Sequence, residues 1–211
     1  MKWFFCACAA LFFLPVASQA FAEPQFNSKT LSVNGIRLGA GFDAAKKIGQ
    51  AEPFYEGDAS VSAKKLCFAF PQGGLMLFES NDTNGAIDNI RVDNPSFQET
   101  FLDPVERLES QEKCGKTYLS ISDVVLPFGI KMGASYEQII QILGTPEAES
   151  KGGNIRLVEF AQHRDLPANA YPEKWDMKAC GAPALFHGIN VYIDENNKVI
   201  GVTLWTGGPY C

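Results

Sequence analysis

Residues 35–43 read GIRLGAGFD and residues 129–137 read GIKMGASYE, so nine consecutive positions recur, four identical and the other five conservative. Internal self-similarity outranks local propensity as a constraint, because overlooking it mis-assigns the whole fold. The correspondence runs further along the chain. Ile48-Gly49 matches Leu143-Gly144, and Asp82-x-Asn84-x-x-Ile87-x-x-Ile90-x-Val92 matches Asp194-x-Asn196-x-x-Val199-x-x-Val202-x-Leu204. The second copy is longer chiefly through an insertion between His163 and Pro183. Two copies are too few for a solenoid and enough for a two-lobed protein.

Each copy opens with a helix signal. Phe42, Ala45 and Ile48 recur at spacings of three after Gly41, and Tyr136, Ile139, Ile140 and Leu143 follow the i, i+3, i+4, i+7 pattern of an amphipathic helix. Ser135 and Gln138 form a capping-box pattern; Gly49 and Gly144 stop the two helices, with Pro146 just beyond the second. Strand signals come next: residues 66–70, 74–78 and 87–92 in the first copy, and 155–160, 185–193 and 199–205 in the second. The expected architecture is α+β, two tandem repeats, each a short helical segment packed on one face of a small antiparallel β-meander whose other face stays open. The repeats are expected over residues 31–95 and 125–211. A connecting segment, 96–124, would carry a solvent-facing helix between Pro104 and Cys114.

Lys2, an apolar run from Trp3 to Val16, and Ala20-Phe21-Ala22 have the layout of a secretory signal peptide over residues 1–22. The run is too short to span a bilayer comfortably, and no lipobox ends it. An exported protein, periplasmic or secreted, is expected after cleavage near Ala22. Cleavage removes Cys6 and Cys8 and leaves Cys67, Cys114, Cys180 and Cys211. An even number of cysteines in an exported chain reads as disulfides. Pairing Cys67 with Cys114 and Cys180 with Cys211 keeps each bridge within or beside its own copy. No C-x-x-C and no paired histidines at ligand spacing support a metal. The full chain has a net charge of −6, one unit more negative without Lys2. That balance repels nucleic acid and anionic membrane, and favours a basic protein as partner.

Catalytic patterns are wanting. The chain has two histidines, His163 and His187, and no nucleophile elbow, phosphate loop, paired-histidine metal motif or dinucleotide fingerprint. No enzyme activity and no cofactor are expected; a small-molecule or hydrolase site in a cleft between the lobes, near His163 and His187, is the weaker alternative. Aromatics carry more information. In the last strand Ile200, Val202 and Leu204 alternate with Gly201, Thr203 and Trp205. If the aliphatic set meets the helix, Trp205 lies on the open face, with Tyr192 from the preceding strand; Tyr171 and Trp175 come from the insertion. Asn89, Arg91 and Asp93 hold the corresponding places in the first copy. Exposed Tyr and Trp anchor protein interfaces, so Trp205, Tyr192, Trp175 and Tyr171 are the expected partner-binding residues.

Gly133, Ser135, Ile139, Leu143, Gly144 and Pro146, followed by Asp194, Asn196, Val199 and Val202, make a pattern that resembles the SmpA/BamE-like and β-lactamase-inhibitory-protein-like families. The first copy departs from it, with Gly41 for the Ser and Ala51 for the Pro. The resemblance implies tandem helix-plus-sheet units and an aromatic-rich sheet surface that covers a partner enzyme. The expected function is therefore that of an exported, non-enzymatic protein-binding module, an inhibitor or immunity-type protein. The alternative is a periplasmic envelope-assembly or structural factor.

Overall fold

The computed structural model describes residues 24–58, 61–81, 85–101, 112–167, 169, 171, 177–180 and 182–208. The expected signal peptide, most of the 104–114 helix, Trp175, the Asp82–Asn84 part of the first turn, Cys211 and the side chain of Cys180 lie outside them.

A two-stranded ribbon of β1 (Ser32–Val33) and β2 (Ile36–Arg37) opens the chain, followed by a 3-10 helix, Phe42–Ile48, and the short β3 (Gly49–Gln50). Strands β4 (Phe54–Asp58), β5 (Val61–Ala69), β6 (Leu75–Ser80) and β7 (Asn89–Asp93) then run antiparallel in succession. Helix α1 (Pro95–Phe101) and β8 (Gly115–Thr117) follow. In the second half, α2 (Tyr136–Leu143) precedes β9 (Ala148–Gly152), β10 (Ile155–Asp165), β11 (Ala184–Ile193) and β12 (Val199–Gly207).

The expectation of two repeats, each with its own meander, is overturned by how these strands join. They form one ten-stranded sheet in the order β3-β8-β5-β6-β7-β12-β11-β10-β9, with β4 on β5. The seam is the β7–β12 ladder, which pairs Asn89 with Trp205, Arg91 with Thr203 and Asp93 with Gly201. The sheet is also mixed rather than antiparallel, because β8, from the segment read as a connector, pairs parallel with β5. A separate meander would end in an unpaired strand edge at β7 and another at β12; pairing the two satisfies both rows of backbone donors and acceptors. Among the described residues strand is the dominant structure, and the helices are short.

One face of this sheet carries the main core. Leu66, Phe68, Met76, Phe78, Ile90, Val92, Val202, Leu204, Ile189, Val191, Val158 and Phe160 alternate inward along six strands into a single cluster. Both helical segments pack on that same face, through Phe42 and Ala45 from the first and Ile139 and Leu143 from α2. The local signals for α2 hold: Ser135 Oγ accepts from the Gln138 amide, Gln138 Oε1 accepts from the Ser135 amide, and Gly144, at φ 85°, ends the helix in a conformation that side chains disfavour. The first helical segment is 3-10 rather than α, and Gly41 supplies no side-chain cap.

Candidate functional site

The second face of the sheet carries two of the four expected binding residues, Trp205 and Tyr192. Cross-strand register puts Trp205, Thr203 and Gly201 of β12 beside Asn89, Arg91 and Asp93 of β7, and beside Gly188, Asn190 and Tyr192 of β11. Among the described residues, α1 covers one end of this face, through Phe97 and Gln98, and Cys114 meets Cys67 near the other flank. The middle, from Glu79 through Asn89, Trp205 and Asn190 to Glu159, has no element over it among the described residues.

Trp205 lies down on the sheet rather than standing out from it. Its indole N–H donates to Asn190 Oδ1 at 3.0 Å, and its ring fills the space over Gly188, where a Cβ would overlap it. The half-buried indole therefore presents a flat ring and leaves the amide of Asn190 beside it. Tyr192 shares this face but packs edge-on against Phe97, with centroids 4.9 Å apart, and so holds α1 to the sheet. Tyr171 is half-buried in a bend of the insertion. One aliphatic assignment is corrected: a bulge at β11–β12 turns Ile200 off the Val202 and Leu204 face and into a cluster with Phe97 and Ile155.

At the α1 end, Asp93 is fully buried. Its Oδ1 accepts from the Leu75 amide at 2.9 Å and from Gln98 Nε2 at 3.0 Å, and its Oδ2 forms an ion pair with Arg91 Nε at 3.1 Å. Burial pushes the Asp93 carboxyl above its ordinary value, and the neighbouring Arg91 only partly offsets that. Arg91 also lies over the Phe97 ring, 5.6 Å from its centroid. Thr203 Oγ1, between Arg91 and Asn190, is buried without a hydrogen-bond partner among the described residues. Beyond Leu77 the flank is charged: Lys65 reaches Glu56 at 2.6 Å and Glu79 at 3.9 Å, and Lys113 reaches Glu56 at 3.3 Å. The hydrogen bond from Lys65 holds the Glu56 carboxyl below its ordinary value.

Sequence reading missed α1 and the Arg91–Asp93–Gln98 network. The signal for α1 was present: Asn94 accepts from the Phe97 amide at 3.1 Å, and Pro95 follows it as the first helical residue. The cleft expected between two lobes gives way to one continuous sheet, and His163 and His187 lie on adjacent strands, β10 and β11, where both line a groove at the strand ends. Cys67 and Cys114 form the expected disulfide. No helix among the described residues is long and apolar enough to cross a membrane. The chain matches no family model, no curated protein and no solved structure.

Proposed function

We propose that this chain is an exported, non-enzymatic binding protein that docks a second protein on the uncovered sheet face. In this reading it acts as an inhibitor or immunity-type partner of an enzyme or toxin in the envelope or outside the cell. The observation that carries it is the flat indole of Trp205, set between Asn190, Thr203 and Asn89 on a face with no described element over its middle. A rigid aromatic surrounded by hydrogen-bonding side chains is the composition of an interface centre. The Cys67–Cys114 disulfide suits an oxidising compartment, and the net charge of −6 suits a basic partner. The resemblance carried by Gly133, Ser135 and Gly144 supports the same mode of binding.

Capture from envelope and secreted fractions on the immobilised, oxidised protein tests this. The expected result is one stoichiometric protein, retained by Glu137→Arg on the helix side and lost with Asn89→Arg or Glu159→Arg on the sheet face. Equal capture by all variants would remove the face from consideration. Recovery of outer-membrane assembly components, rather than an enzyme or toxin, would favour the envelope-assembly role.

A further inference from the structure

At the far end of β10 and β11, on the side of the sheet that carries the main core, a groove of about 770 Å³ opens between the strand ends and the N-terminal segment. Its floor consists of two cross-strand pairs, Gln162 with His187 and Arg164 with Leu185. Its wall is the chain from Gln25 to Lys29. Gln162 fixes that wall with both ends of its amide: Oε1 accepts from the Phe26 N–H at 2.8 Å, and Nε2 donates to the Pro24 carbonyl at 2.8 Å. The groove is thus held in shape by hydrogen bonds, and Phe26 is buried beneath it.

Its charge runs against that of the chain. Every ionisable residue lining it is basic, namely Lys29, His163, Arg164 and His187, in a protein of net charge −6. None of the four makes an ion pair among the described residues. Asp165 alternates to the other side of β10, as does His163, whose ring lies 6.3 Å from Phe186, so Lys29, Arg164 and His187 are the cations on the groove's own side; across β11 the partner of His187 is the neutral Thr206. The size falls in the range of small-molecule sites. Unpaired cations on a fixed frame, with Phe26 and Leu185 supplying apolar surface, are the chemistry that recognises an oxyanion on a carbon body.

We propose that this groove binds a small organic anion, a carboxylate or a phosphate ester, with Lys29 and Arg164 holding the oxyanion and His187 donating to it when protonated. The site is separate from the docking face and does not depend on the protein-binding reading. Burial lowers the pKa of the His187 ring, so the ring is neutral near pH 7 in the free protein. An anion beside it favours the protonated form, so the share of the affinity that His187 contributes grows as the pH falls.

Because the chain has only two histidines, their ring signals report directly. The test is an NMR titration of the mature protein with inorganic phosphate, and separately with citrate, at pH 5.5 and 7.5 in low salt. The His187 ring should shift saturably with one or both probes while that of His163 moves little. Which probe binds more tightly tells phosphate from carboxylate. Lys29→Gln combined with Arg164→Gln, both exposed in the native fold, should weaken binding about tenfold or more. His187→Gln should bind as the parent does at pH 7.5 and more weakly than the parent at pH 5.5. No saturable shift of His187 with either probe, equal shifts of both rings, or unchanged affinity in the double variant would overturn the proposal.

Discussion

Gly188 is the residue on which the candidate face turns. It is extended and buried, so its value lies in space and not in backbone freedom: any side chain would occupy the place of the Trp205 indole. Gly188→Ala should lift the ring, break the bond to Asn190 and cost about 1–3 kcal/mol, as overpacking does. Chemical denaturation with tryptophan emission as the probe checks both effects; an unchanged midpoint and spectrum would mean that the indole is held elsewhere. Asp93 makes a pH-dependent prediction. Its folded pKa is raised above the ordinary 3.8, so as pH falls the native form takes up a proton before the unfolded chain does. This term therefore adds stability as pH falls through the folded value, and the gain is complete below 3.8. Asp93→Asn should lack that gain, which thermal melts at several pH values would show as a steeper loss toward acid than in the parent. Trp205 and Tyr192 were legible as sharing a face, since alternation along a strand is a local property. The partners that pin them, Gly188 and Phe97, were not, because they meet through pairing between distant segments.

At the scale of elements, the legible ones are those whose burial imposes a period. Strands β5, β6, β7, β10, β11 and β12 each bury one face in the main core, and α2 announces itself by a capping box and a terminal glycine. Strand β9, sequence AESKG, is exposed at every position, so no alternation marks it, although it pairs with β10 over five residues. Strand β8 depends on the Cys67–Cys114 bridge and on its neighbours more than on its own three residues. The bridge spans a sequence separation of 47, for which loop-closure entropy gives roughly 4 kcal/mol. Replacing Cys67 and Cys114 together by Ala should lower the unfolding free energy by about 2–5 kcal/mol in urea melts. A change below about 1 kcal/mol would show that the β3–β8 side is held by packing alone. Asn94→Ala should cost about 1 kcal/mol by uncapping α1, with faster amide exchange confined to Pro95–Phe101 and its contacts.

Over the whole molecule, the matching sequence patterns were legible, but the two separate units read from them were not what the chain forms. Both copies carry matching helix, turn and strand signals, and these predict units; whether two sheets stay apart depends on the fate of their edges, which a local pattern does not encode. Here β7 and β12 close on each other, and one core runs from Phe42 to Leu204. Unfolding should accordingly be a single cooperative transition, coincident by circular dichroism and fluorescence, and Thr203→Pro, which removes a donor from the central strand, should destabilise the entire chain by about 3 kcal/mol or more. Two separated transitions would show that the seam couples the halves only weakly. Fusing the sheets also produces the broad second face on which the functional proposal rests. Its most direct measurement is site-specific photo-crosslinking in the native envelope, with a benzophenone side chain placed at Asn89, at Glu159, or at Glu137 on α2 as the reference. Crosslinks to one common protein from Asn89 and Glu159, with none from Glu137, are the predicted result. Crosslinks from Glu137 alone, or from none of the three, would contradict docking on the sheet face.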